Sequence, residues 1–483
     1  MIYRRFFLLI IGFLLFIACE NTDNVQVPNE LPPIYPDYTG ITIPCNIAPL
    51  NFILRNSPQR IEVIMEGQNN MVRFTGKYKI QFSESRWKKI MLTEQGNTIN
   101  VHITVKKNGQ WIKYLPFEWK ISKDKIDPFL TYRLIEPGYE VWNKIQLCER
   151  NLENFSVIVL ADNNLTETSC MNCHIFGNQN PNLSFFHLRG EKGGTILNRN
   201  GSLRKINTQA NSQGVSATYG NLHPSGKYGV FSANIVIPSF HTLAGKKLEV
   251  YDKTSDLLVL DFDNNTIIQS PLVSGDGKLE TFPVFSSEGN RIFYCLASNK
   301  LLPDSIKQLK YSLCSIDFDV QTGQFGNRVD TLLYMGEGDK SVSFPRPSPD
   351  GRFLLYCISD YGTFPVWHHE TDLHMMNLIS GETVDLQIVN SNYSDTYHSW
   401  SSNSRWFVFA SKRDDGLYGK PYFCYVDSNG IAHKPFVLPQ QNPYYYDYTL
   451  KSFNIPELAT GKLPFSAIDI ERMYWKESAE QFK

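Results

Sequence analysis

Past residue 18 the sequence has no apolar run long enough to cross a membrane as a helix. It also has no excess charge of either sign. Forty-seven Lys and Arg stand against 48 Asp and Glu, a net charge of −1, so composition gives no support for a nucleic-acid partner. No G-x-S-x-G elbow occurs, which argues against a serine peptidase. There is no H-E-x-x-H and no phosphate-binding glycine loop. His368-His369-Glu370 is a poor metal set, because neighbouring side chains on a strand point to opposite faces. Stretches of helical period are scarce. Short apolar runs alternate with Gly, Pro, Asn and Ser turns along the chain, and aromatics reach 13 %. The fold class this predicts is all-β.

The start of the chain reads as an address. Arg4 and Arg5 precede an apolar stretch over 6–17, too short for a comfortable span. It ends Phe16-Ile17-Ala18-Cys19, which resembles the lipobox of bacterial lipoproteins. The resemblance implies a signal peptide over 1–18, cleavage before Cys19, lipidation of Cys19 and a membrane contact made by acyl chains. The expected location is the cell envelope, on the periplasmic face or the outer-membrane surface. Residues 19–38, with Pro28, Pro32, Pro33 and Pro36, read as a flexible tether.

Residues 39–128 read as a small β-sandwich-like domain. Arg60-Ile-Glu-Val-Ile-Met65 and Asn100-Val-His-Ile-Thr-Val105 alternate polar and apolar residues, and turns fall at Gly67, Gly96 and Asn108-Gly109.

From 129 to 483 the chain repeats. Leu222-His-Pro-Ser-Gly-Lys-Tyr228, Val284-Phe-Ser-Ser-Glu-Gly-Asn290, Arg346-Pro-Ser-Pro-Asp-Gly-Arg352 and Ser399-Trp-Ser-Ser-Asn-Ser-Arg405 each join two strands through a tight turn. A second strand ending in Asp or Asn recurs as Lys247-Leu-Glu-Val-Tyr-Asp252, Ser312-Leu-Cys-Ser-Ile-Asp317, Asp372-Leu-His-Met-Met-Asn377 and Tyr422-Phe-Cys-Tyr-Val-Asp427. Ser-Pro-Asp-Gly-Arg at 348–352 and the run 372–382 resemble the blades of TolB-type propellers, and the resemblance covers about 218–440. It implies a TolB-like β-propeller and says little about activity. Two further units, around 144–160 and 170–207, bring the count to six. The first would be completed by a C-terminal strand from around Tyr446–Phe453 or beyond, closing the ring.

Cys170-Met171-Asn172-Cys173-His174 is C-x-x-C-H, the spacing at which two thiols reach the vinyl groups of a porphyrin and the histidine falls under the iron. The expectation is haem c on Cys170 and Cys173, with His174 as proximal ligand. His187, His223 and His398 are the distal candidates. The alternatives are a disulfide, free thiols or half of a metal site. The motif falls where other units carry their first strand, so it is expected to face the propeller axis. Cys295, Cys314, Cys357 and Cys424 sit in apolar runs and read as buried free thiols.

The plan resembles Bacteroidetes-type lipoproteins that join a TolB-like propeller to C-x-x-C-H. One reading is a haem carrier for electron transfer or redox sensing. Another is a non-enzymatic protein-interaction scaffold at the envelope, with the cysteine pair as thiols or a disulfide. A third, an enzyme working on envelope glycans or peptides, needs clustered carboxylates that the sequence does not locate.

Overall fold

The computed structural model of the chain describes residues 25–136, 144–166, 169–210, 215–243 and 246–483. Cys19 and the apolar stretch before it lie outside the described residues, as does the side chain of Cys173. Among the described residues no helix is long and apolar enough to cross a membrane.

The N-terminal part holds a seven-stranded sheet and a three-stranded one. Strict alternation in Arg60–Glu66 turns Ile61, Val63 and Met65 inward. The sandwich expectation needs two corrections. A helix, Glu84–Thr93, starts where Ser83 accepts the N–H of Arg86, and it buries Trp87, Ile90 and Met91. The indole of Trp87 lies 5.0 Å from Phe82 and 5.7 Å from Trp119, so the helix closes the core that a second full sheet would otherwise cover. Of the expected tether, residues 25–38 are part of the fold. Val25–Gln26 pairs with Gln110–Lys113, Ile34–Tyr35 pairs with Phe52–Leu54, and Tyr38 is fully buried beneath Trp119.

From Phe129 onward the strands form six four-stranded blades among the described residues. Blade 1 is Ser452–Ala459, Phe129–Ile135, Ile145–Asn151 and Val157–Asp162. Blade 2 is Met171–Gly177, Asn180–Leu188, Gly194–Arg199 and Ser202–Ile206. Blade 3 is Val215–Leu222, Tyr228–Leu243, Lys246–Asp261 and Thr266–Ile268. Blade 4 is Lys278–Phe285, Arg291–Ser298, Ser312–Asp319 and Gln324–Leu333. Blades 5 and 6 begin with Ser341–Pro347 and Asp395–Trp400. The first strands of successive blades are neighbours in a closed cycle, with Ser452–Ala459 between those of blades 6 and 2. The C-terminal segment thus supplies one strand of blade 1, and residues 129–162 supply the other three.

The recurrent turn has one geometry. Gly226, Gly289 and Gly351 take φ of 70°, 81° and 72°, and Ser404 takes 58° in the blade without glycine. Each donates its N–H to the residue three before it, at 2.8–3.0 Å. Ser404 Oγ in turn accepts the N–H of Asp350 from the next turn at 2.9 Å, which ties blade 6 to blade 5.

Blade 3 departs from the sequence alignment. Lys247-Leu-Glu-Val-Tyr-Asp252 does not end a blade strand. The strand runs on to Asp261, paired along the whole of Tyr228–Leu243, so the hairpin is about twice the usual length. Its middle crosses to blade 4, where Ser255 pairs in parallel with Leu279. Further along, Glu249 accepts the hydroxyl of Tyr361 in blade 5 at 3.0 Å.

The N-terminal part is joined to the propeller through one apolar core. Trp119, Ile121 and Ile126 belong to the same cluster as Trp406, Phe436 and Val437 of blade 6. Asp127 accepts Ser402 N–H at 2.7 Å and Ser402 Oγ–H at 2.6 Å, and Trp406 Nε1 donates to the Asp124 carbonyl at 2.9 Å. The two parts pack as one body.

Candidate functional site on the propeller axis

Each first strand carries an irregularity opposite the second strand. In blades 4, 5 and 6 two residues oppose one at Phe282-Pro283, Phe344-Pro345 and Tyr397-His398, and blade 1 does the same at Ile455-Pro456. Phe282, Phe344, Tyr397 and Ile455 have φ of 52°, 52°, 49° and 51°. These are bulges, where proline is tolerated because the ladder asks for no N–H. In blade 2 the same two-against-one step falls between Asn172 and Ile175, at Cys173-His174. The Cys-His pair of the C-x-x-C-H therefore occupies the aromatic-proline position of the repeat.

His174 and His398 are equivalent in this register, and both rings face the backbone of the preceding blade. His398 Nε2 lies 3.0 Å from the Leu355 carbonyl of the preceding blade, and its ring also faces the Phe344 backbone. His174 faces the backbone of Thr131 and Ile455. Thr131 pairs with Glu457 as Leu355 pairs with Arg346, so the two rings face corresponding backbone, although His398 Nε2 is hydrogen-bonded there and His174 Nε2 is not. Burial pushes the imidazoles down, to about 4 for His174 and about 3 for His398. Both rings are neutral pins between blades.

The axis itself is filled. The rings of Tyr219, Phe282, Phe344 and Tyr397 follow one another at centroid distances of 4.5, 3.9 and 4.8 Å. The positive φ at three of these positions aims the side chains inward. Beside them His174 and Ile455 border a cavity of about 20 Å³. Toward the turns, Arg346 and Glu457 border another of about 50 Å³, together with Asn221, Ser399 and Trp400. Burial raises Glu457 to about 7 against the pull of Arg346, and its Oε2 accepts the Phe176 N–H at 3.2 Å.

A haem on Cys170 and Cys173 would have to fit this geometry. In its favour, His174 Nε2 is buried without a hydrogen-bond partner, as a ligand nitrogen would be. The space is against it. The two cavities that touch the His174 ring hold about 20 and 10 Å³, the second lined by Arg133, Leu147, Met171 and Phe186. Ligand pockets of porphyrin size need at least about 300 Å³. Residues 171–177 are extended strand, not a turn that gathers its side chains on one side. With this strand in the sheet the residues do not fit the group.

The distal candidates are dispersed. His187 sits on the other face of blade 2, its ring tilted against Phe185 and Phe231 at 5.4 and 6.4 Å. His174 shares its small cavity with Met171 and Phe186, whose cluster lies toward blade 1. The sheet separates the two rings. His187 Nδ1 is 2.6 Å from Thr195 Oγ1, and burial holds its imidazole down at about 3. His223 closes the blade 3 turn: its Nδ1 accepts the Ser225 N–H at 3.0 Å, and its ring packs 4.9 Å from Phe285. His398 is the blade 6 pin described above. Cys170 is a half-buried free thiol, 4.0 Å from Arg133 Nη1, which also donates to the Met171 carbonyl at 3.3 Å.

The repeat position makes an unusual substitution testable. His174→Pro is expected to fold, because three other blades carry proline there and the loss is one side-chain contact. The melting temperature should fall by no more than about 1 °C, the equivalent of roughly 1 kcal/mol in a chain of this size. Calorimetry checks it, and a collapse of the cooperative transition would show that the imidazole does more than pin blades.

The sequence reading missed a set of buried polar groups between blades 3 and 4: Asp252, Glu280, Tyr294 and Tyr311. Asp252 and Glu280 are fully buried, and neither carboxylate has a hydrogen-bond partner at bonding distance. Burial raises them to about 7 and about 8. A charged residue inside an apolar run, as in Leu279-Glu-Thr-Phe282, was the available signal.

These features define a six-bladed β-propeller, closed by its C-terminal strand and fused to an N-terminal α+β part. No family model matches the chain, and no curated protein does. Among solved structures it is similar to a puromycin hydrolase at 10 % identity and a TM-score of 0.37, covering 64 % of this chain and 45 % of that one. It is similar to the tricorn protease at 11 % and 0.36, covering 71 % and 34 %. A periplasmic gluconolactonase of Pseudomonas aeruginosa gives 14 % and 0.34, covering 64 % and 96 %. The chain thus spans less than half of the two hydrolytic enzymes. Likenesses this weak carry no argument about activity, and the propeller rests on the strand pairing.

Proposed function

We propose that the chain is a lipid-anchored binding scaffold at the cell envelope, non-enzymatic, with Cys170 and Cys173 as thiols and a protein as its partner. The observation that carries this reading is the outer strand of blade 1. Val157, Ile158 and Val159 are 44, 40 and 45 % exposed, in a strand that pairs on one side with Ile145–Asn151 and has no second neighbour among the described residues. Helix Ala467–Lys476 shares a cluster with Leu160 and Ala161, so the open part is the first half of the strand. An unpaired edge with consecutive apolar side chains in water is an acceptor for a strand from another protein. The filled axis and the use of His174 as a blade pin support a scaffold over a cofactor carrier.

The test is site-specific photo-crosslinking in cells that make the full lipoprotein. A crosslinker at position 158 should capture one discrete partner, and the product should vanish with Val157→Lys and Val159→Lys. A crosslinker at 379, where Ile379 is 80 % exposed, is the control. No product at 158, or the same products at 379, ends the reading. Cys19→Ser should release the chain from membranes, and unchanged sedimentation with membranes would remove the anchor from the proposal. Haem c is the competing reading. One covalent haem by mass after maturation in a haem-attaching periplasm, lost in Cys170→Ala/Cys173→Ala, would replace the thiol assignment.

A further inference from the structure

The face of blade 4 that looks toward blade 3 is polar at one end. Cross-strand partners share a face. Lys278 pairs with Ser298, Glu280 with Leu296, Leu296 with Ser312, Tyr294 with Cys314, and Cys314 with Thr331. Tyr294 and Cys314 pack with Tyr228, Leu257 and Val259 of blade 3. At the Lys278 and Ser298 end the same face opens into a cavity of about 270 Å³.

The charges of that cavity are one-sided. Lys278, Lys300 and Lys310 line it against one carboxylate, Glu337. Lys278 and Lys300 form no ion pair among the described residues, while Lys310 Nζ donates to the Asp360 carbonyl. The floor is built. Ser312 and Cys314 are buried, and Ser312 Oγ is fixed by accepting the Met335 N–H at 2.8 Å. Tyr334 lies at the rim, 75 % exposed, a flat apolar ring beside the cations.

We propose that this cavity binds a small polyhydroxylated anion, a sugar bearing a carboxylate or a phosphate. Two unpaired ammonium groups answer the charge. Ser298, Gln308, Ser312 and Thr331 on the cavity wall answer the hydroxyls of such a ligand. The rim tyrosine suits the apolar face of a sugar ring. A cavity of this size takes about one sugar residue. The inference goes beyond the scaffold reading and does not depend on blade 1 or on the cysteines.

The experiment is titration calorimetry on the full chain with galacturonate, glucose 6-phosphate, galactose and inorganic phosphate as probes. At least one sugar anion should bind at least tenfold tighter than galactose and than inorganic phosphate, and tighten as salt is lowered. Lys278→Ala/Lys300→Ala should weaken it at least tenfold with its melting temperature kept, since both side chains are exposed. Absence of binding by both sugar anions, equal binding of galactose, an inorganic phosphate signal equal to that of the sugar phosphate, or an unchanged affinity in the double lysine variant overturns the proposal.

Discussion

A chain that stops at residue 451 will not form the propeller. Ser452–Ala459 is the strand of blade 1 nearest the axis, paired along Phe129–Ile135. Without it that neighbour becomes a free edge facing the axis, and the ring is open between blades 6 and 2. The truncation also removes helix Ala467–Lys476, whose Ile470 and Tyr474 are fully buried. It removes the partners of two cations in blade 2: Lys205 Nζ donates to the Tyr474 carbonyl at 3.0 Å, and Arg204 pairs with Glu480. Phe453, Leu458, Ile470 and Tyr474 alone are four large buried side chains, worth roughly 1.5–3 kcal/mol each. A whole domain is stable by only about 5–15 kcal/mol. The expected product is aggregated or loses its sigmoidal melt by circular dichroism. A truncated chain that melts cooperatively close to the full one would show that closure is dispensable.

Most of the blades could be read from sequence because the turn is chemically stereotyped. Ser-Pro-Asp-Gly and its variants need a residue in the left-handed region at one place, and glycine at 226, 289 and 351 announces it. The places that were not legible share one cause: local patterns that two structures satisfy equally. Leu-Glu-Val-Tyr-Asp252 and Leu-Leu-Val-Leu-Asp261 both read as a strand ending in Asp, and only the pairing partner distinguishes the hairpin extension from the blade strand. Helix Glu84–Thr93 is short, and its buried apolar stripe is just Trp87, Ile90 and Met91. At the axis, Cys173-His174 looks like chemistry, whereas Phe282-Pro283, Phe344-Pro345 and Ile455-Pro456 look like packing. The two-against-one register makes them the same position, and register is a property of the partner strand as much as of the motif.

Glu280→Gln will gain on the wild type as pH rises. The carboxyl is fully buried and burial is the largest cause of its displacement, with Asp256 adding to it and Lys278 opposing. Its folded value of about 8 lies above the ordinary 4.5. Near pH 4 and below both states hold the proton, and the native state has its full stability. Between about 4.5 and 8 the unfolded chain has released the proton and the folded chain has not, so folding binds a proton and stability falls with each unit of pH. Above about 8 the loss is complete. From pH 5 to pH 8 this single group withdraws up to about 4 kcal/mol. Asp252 and Glu457, both raised to about 7, act in the same direction over a shorter range. The buried histidines act in the opposite one. His174, His187 and His398, held down to about 4, 3 and 3, cost stability as pH falls below 6.5, because the unfolded chain then takes up the protons. Between about pH 4.5 and 6.5 the two sets offset each other, and wild-type stability should be nearly flat there. Above 6.5 the carboxylates act alone and it should decline. Glutamine keeps the volume and has no proton to lose, so the difference in unfolding free energy between Glu280→Gln and wild type should move toward the variant by several kcal/mol from pH 5 to pH 8, or about 4 °C in melting temperature. Denaturant titrations at the two pH values measure it. A difference that stays constant would mean that water or a counter-charge reaches Glu280, and that its carboxyl is ionised in the folded chain.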